Sequence, residues 1–166
     1  MSDFKALVER AGNEVFVQLT GTIDESATLP TLDLEGCSSV FIDLKMVKAI
    51  NSVGIQGWLA WINNIGDRVN ITLDHVHDAI VFQFNMITSF LPPNAKVRSV
   101  YVPYYCEKCD AKVEFLLGNL PKDISGLPDF EDKELKRNLC KTKNFAECEI
   151  ECDVRAAKYL AFAFRK

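Results

Sequence analysis

The stretch that decides the fold is "VFIDLKMVKAINSVGIQGWLAWINNIG", residues 40–66. It opens inside a short apolar run, "SVFIDL" (39–44), whose β-branched and aromatic residues predict a central buried strand. It turns through "INSVG" and continues as a helix-like segment over 53–66. From Ala49 to Gly66 there is no charged residue. At 100° per residue, Ile55, Trp58, Leu59, Ile62 and Ile65 fall on one side, with Trp61 at its margin. The opposite side is Val53, Gly57, Ala60 and Asn64, all small or uncharged. A face meant for water normally carries Lys or Glu. A bare, slim face predicts close approach by another surface, either a separate protein or another part of the same chain.

Outward from this stretch, strands and helices alternate. "FKALVE" (4–9) and "VFVQL" (15–19) read as neighbouring strands, and "GTIDESATLP" (21–30) as a turn-rich connection with a short helix after Ile23. "VNITL" (69–73) is a strand. "DHVHDAIVFQFNMITSFL" (74–91) reads as a helix capped by Asp74 and stopped by Pro92-Pro93. That turn also accounts for His75 and His77 without a metal. "AKVRSVYVPY" (95–104) closes the series as one strand. This order predicts an α/β layer fold, a mixed sheet covered by helices. After Tyr105 the character changes. A cysteine-bearing turn sits between two short strands, a loop fills 118–130, a charged helix follows over 131–140, and the tail "VRAAKYLAFAFRK" reads as a helix capped by Asp153, with a strand over 159–164 as the alternative. The expected organisation is one domain over 1–102 and a cysteine-rich module with a C-terminal helix over 103–166.

The whole chain excludes some classes. Its 166 residues are 48% hydrophobic and 25% charged, as in ordinary globular proteins. "MSDFKALVERAG" carries acids early and lacks the apolar core of a signal peptide. The uncharged run at 49–66 holds three Asn, one Gln and three Gly, too polar for a membrane span of roughly 20 apolar residues. A soluble, cytoplasmic protein is expected. Residues 1–100 hold seven basic and eleven acidic groups, and residues 101–166 hold twelve of each, which disfavours a nucleic-acid partner. There is no Gly-rich phosphate loop, Ser nucleophile elbow or obvious acid pair, so no catalytic residue is assigned.

"TGTIDESATL" followed by "VFIDLKMVKAINSVGIQGWLAWI" resembles the STAS domain of bacterial anti-sigma factor antagonists, over about residues 4–102. In that family a strand ends in Asp-Leu, and Asp-Ser-Ser/Thr-Gly then opens a helix. The Ser or Thr before the Gly is phosphorylated by a kinase that docks over this turn and helix. Position by position, the Asp is Asn51, the first Ser is Ser52, the phosphoacceptor is Val53 and the Gly is Gly54. Val53 has no hydroxyl, so the charge of about −1.5 to −2 that phosphate adds is absent. Ser52 is expected to cap the helix. The resemblance implies a bacterial signalling protein that docks an anti-sigma factor kinase or a related protein. The expected partner surface is Asn51, Ser52, Val53, Gly54, Gly57, Ala60, Trp61 and Asn64. STAS-like proteins without a phosphoacceptor also include accessory subunits that dock on the ATPase of membrane lipid transporters, the second expectation.

Cys106-x2-Cys109 and Cys148-x3-Cys152 can present two pairs of thiolates to one ion, and the module resembles a zinc ribbon over about 103–153. "CEIEC" lacks the Gly that usually eases the second knuckle, which makes Cys140 the reserve ligand for Cys148. Four thiolates would leave no position for water, so the expected cofactor is structural zinc. The rival class is a thiol–disulfide protein using Cys106 and Cys109.

Overall fold

The computed structural model describes residues 3–106, 110–129, 132, 134, 150–152 and 156–164. The chain is mixed α/β, with a largely parallel sheet. Strands β1 (Lys5–Ala11) and β2 (Glu14–Ile23) form a hairpin over the two-residue turn Gly12–Asn13. Gly12 has φ +62, the left-handed first position that lets such a turn follow the strand twist. Strands β3 (Ser39–Ile50), β4 (Asn70–Asp74) and β5 (Ala95–Val97) run parallel to β2, in the order β1-β2-β3-β4-β5. Helix α1 (Ser52–Asn64) joins β3 to β4, and α2 (Asp78–Met86) joins β4 to β5.

Both helices lie on one face. Val15, Val17 and Leu19 of β2, Val40, Ile42 and Leu44 of β3, and Ile71 and Leu73 of β4 are buried with Trp58 and Ile62 of α1 and Ile80, Val81 and Phe84 of α2. The alternate residues, Phe16, Gln18, Phe41 and Asp43, face the other way and are exposed or half-buried. The run "SVFIDL" is therefore central in the sheet but fully buried on one face only. Its strand is also longer than expected, reaching Ile50 through two register shifts against β2.

Three expectations are corrected. No helix follows Ile23. Asp24 instead closes a turn, its Oδ1 accepting from the N–H and hydroxyl of Ser26 at 2.9 and 2.6 Å. Helix α2 begins at Asp78, not Asp74, and ends at Met86, six residues before the prolines. Asp74 is the last residue of β4, and its carboxylate accepts from Arg98 and Ser99, so it has no role as a helix cap. The third concerns 95–104, which is two strands. After β5 the chain leaves the sheet at Arg98 and starts β6 (Ser99–Cys106), which pairs antiparallel with β7 (Ala111–Gly118) and β8 (Ile150–Cys152). Residue 102, where the sequence puts a boundary, lies inside β6. Val100, Val102 and Tyr104 are buried in one hydrophobic cluster with the first sheet.

The tail forms a helical turn, α3 (Ala156–Tyr159), then a 3-10 turn (Ala161–Phe164). Phe162 packs on Phe84 at 4.8 Å between centroids, and Tyr159 Oη donates to Tyr101 O at 2.7 Å. Apart from Asp132 and Glu134, the expected helix over 131–140 lies outside the described residues, as does the cap Asp153. Among the described residues no helix is long and apolar enough to cross a membrane.

Candidate functional site

The turn after β3 is assembled from both flanking elements. Asn51 is the N-cap of α1, its Oδ1 accepting from Gly54 N at 2.8 Å. This corrects the expectation for Ser52, which is the first helical residue and is exposed. The Asn51 backbone N–H donates to Ile23 O at 3.1 Å, and its Nδ2 donates to Glu25 Oε2 at 2.8 Å. An Asp at 51 could make the cap but would repel Glu25, so the amide suits this chain's own neighbour.

Gly54 is buried against the end of β2. A Cβ there would sit 1.9 Å from Ile23 O. The glycine is required because the helix touches the strand backbone directly, and Gly54 itself is shielded from any partner. Trp61 is also committed internally, its Nε1 donating to Pro30 O at 2.7 Å and pinning the connection between β2 and β3. Six of the eight expected partner-surface residues stay accessible: Asn51, Ser52, Val53, Gly57, Ala60 and Asn64 are all exposed, Val53 by 50%. Gln56 and Asn63, not singled out in the sequence, are exposed beside them. The first turn of α1 has no acid and the last turn no base. The face is bare and uncharged, and no described part of the chain buries it.

Next to this turn a groove of about 810 Å³ runs between the end of β3 and α2. Ala49, Ile50, Ala79 and Phe82 line it, with Lys48, Lys112 and Lys158 at its margins. Phe82 and Met86 on α2 are 59% and 66% exposed. Lys112 pairs with Asp78 and Lys48 with Asp3.

The open face of the sheet holds a charged cluster that sequence reading passes over. Asp43 and Asp74 stand opposite each other on β3 and β4. Asp74 is buried, which by itself favours its protonated form. Hydrogen bonds from Arg98 and Ser99, with His75 nearby, outweigh that and hold its pKa below the ordinary carboxylate value. His75 has φ +52, and its Nδ1 lies 3.0 Å from Asp43 Oδ1, which also accepts from Lys45 N at 2.9 Å. These groups border a cavity of about 410 Å³ floored by Phe16 and Phe41, whose rings stack at 5.0 Å. Each member of the cluster has a partner within the chain, so it acts as a clamp where the backbone leaves β4 and returns as β6. The available signal was an Asp at the same depth in "VFID" (40–43) and "ITLD" (71–74). His77 turns elsewhere, its Nε2 2.8 Å from Lys45 O and its ring stacked on Tyr101 at 4.3 Å. His75 also lies against the Tyr101 ring, at 6.2 Å, but the ring nitrogens of the two histidines have different partners.

Of the four expected zinc ligands, Cys109 and Cys148 lie outside the described residues, as does Cys140. Cys106 is buried at the end of β6. Register pairs Cys106 with Ile150 and Tyr104 with Cys152. The two cysteine positions are therefore diagonal neighbours on adjacent strands. Among the described residues no group of three or more His, Cys, Asp or Glu is arranged to hold a metal.

Comparison with protein-family models, characterised proteins and solved structures gives no match for this chain.

Proposed function

We propose that this chain is a non-enzymatic bacterial docking protein of STAS-like architecture, which binds a signalling partner through the Asn51–Gly57 turn and the exposed face of α1. The observation that carries this reading is the accessible, uncharged surface of Val53, Gly57 and Ala60 on a helix whose other side is buried. Gly54 packed on Ile23 O supports it, because a rigid turn presents the face in one orientation. The partner is an anti-sigma factor kinase or a related protein, and Val53 in place of a phosphoacceptor makes docking independent of phosphorylation there. Val53 equally favours a second reading, an accessory subunit on the cytoplasmic ATPase of a membrane lipid transporter. The C-terminal cysteines would hold one structural zinc ion. Burial of Cys106 opposes the thiol–disulfide alternative, since an exchanging thiol must be reached by its partner.

The test is affinity capture with wild type beside Gly57→Glu. The added side chain at 57 meets open space, so folding is preserved while charge enters the face. The variant is expected to retain its melting temperature and lose the partner at least tenfold, about 1.4 kcal/mol. Recovery of a kinase or of a transporter ATPase separates the two readings. Equal capture by both forms overturns the surface.

A further inference from the structure

Strand β1 is the outer strand of the first sheet, and all seven of its residues are exposed, Leu7 by 54% and Val8 by 39%. Among the described residues no strand pairs with its far side. An edge of this length with apolar side chains on it is a template for another strand. The chemistry of the edge says which strand fits.

Because the turn to β2 has two residues, Ala11 and Glu14 form the pair that exchanges backbone hydrogen bonds. Alternation then directs the backbone groups of Glu9, Leu7 and Lys5 inward to β2, and those of Ala6, Val8 and Arg10 outward. An antiparallel copy must bond even-numbered residues to even-numbered residues, which restricts the symmetric registers to a few. Centred on Ala6, Lys5 meets Leu7. Centred on Val8, Leu7 meets Glu9. Centred on Leu7, Lys5 of each copy meets Glu9 of the other, Leu7 meets Leu7, and Ala6 meets Val8. Only this register pairs opposite charges and leaves apolar residues against apolar residues, and cross-strand pairs of these kinds are the unit of sheet stabilisation.

We propose that β1 pairs antiparallel with β1 of a second copy, about a two-fold axis at Leu7, giving a continuous ten-stranded sheet. The axis is perpendicular to the sheet, so Lys5, Leu7 and Glu9 of both copies share the open face. The contact is isologous and closes on itself, so it makes a dimer and not a fibre. Arg10 lies at the end of the paired segment, with its guanidinium already held by Asp33 and by the carbonyls of Gly12 and Glu35. A single strand pair buries less than a standard interface of about 1,600 Å², so the dimer is expected to be weak and reversible.

Sedimentation equilibrium of the full chain over about 1 µM to 1 mM tests the proposal. The mass is expected to rise with concentration from 18.7 kDa to twice that value. Glu9→Lys puts like charges opposite each other twice and is expected to raise the dissociation constant at least about tenfold. The double variant Lys5→Glu with Glu9→Lys restores both pairs and returns the constant to within about threefold of wild type. Under mild oxidation Leu7→Cys is expected to cross-link its two copies, above the wild-type background, while Val8→Cys is not. A monomer at every concentration overturns the proposal, as does a dimer indifferent to Glu9→Lys. Failure of the double variant to recover overturns the register.

Discussion

Gly54 and Gly57 sit three residues apart on one helix, and the structure assigns them opposite responses to the same change. A Cβ at Gly54 would lie 1.9 Å from Ile23 O and 2.6 Å from Ile23 C. A carbon–oxygen contact needs about 3.3 Å, so the first turn of α1 must back away from β2 by about 1.4 Å. Both obstacles are backbone, and no side chain can rotate aside. That movement lengthens the Asn51 N–H to Ile23 O bond beyond use, worth about 1 kcal/mol. It strains the Asn51 cap, worth about 1 kcal/mol. It also lifts Trp58, which is fully buried against Phe90, out of close packing, for about 1–3 kcal/mol more. Gly54→Ala is therefore expected to destabilise by about 3–5 kcal/mol, despite Ala being the better helix former. Gly57→Ala meets nothing within 4 Å and is expected to stabilise by about 0.5–1 kcal/mol. Urea denaturation followed by tryptophan fluorescence reads both, the midpoints moving in opposite directions at constant slope. If Gly54→Ala costs less than about 1 kcal/mol, the helix does not rest on the β2 backbone and the geometry of the docking turn is wrong.

The Asp74 carboxyl is held below the ordinary carboxylate value, so the stability it contributes is present above about pH 4 and lost as pH falls through its lowered folded value. Asp74→Asn is expected to cost about 2 kcal/mol at pH 7 through weaker bonds to Arg98 and Ser99, and to flatten the loss of stability as pH falls below the ordinary carboxylate value. Identical pH slopes for the two proteins in chemical denaturation would contradict this. For zinc, elemental analysis of untreated protein is expected to find about one equivalent, with chelator lowering the melting temperature and Cys106→Ser abolishing retention. Metal-free protein with an unchanged melting temperature removes the zinc proposal.

Much of the first sheet is legible from local chemistry. The neighbouring strands β1 and β2 follow from two β-rich runs, α1 from its apolar periodicity, and the bare face of α1 from residues 49–66 lacking charge. These depend on neighbours within a few residues, which is why reading along the chain suffices. The corrections share a different cause. Ser52 and Asn51 are both plausible caps by type, and the choice fell to Asn51, which also meets Ile23 O and Glu25. Asp74 looks like a cap until Ser99, twenty-five positions later, competes for its carboxylate. Nothing in "AKVRSVYVPY" marks the break at Arg98. It arises because Arg98 N reaches Leu73 O at 2.8 Å while Tyr101 N reaches Val76 O at 2.8 Å on the far side of the His75 turn.

What the amino-acid order determined by itself is therefore much of the periodic part of the molecule: most strands of the first sheet, helix α1, and which side of α1 is slim and uncharged. Whether that side stays open, which glycine is locked against a strand, and where one sheet hands the chain to the next were decided only by the tertiary structure. The physical reason is that a side chain with several possible hydrogen-bond partners takes the set that folding brings within reach, and those partners lie far away in sequence.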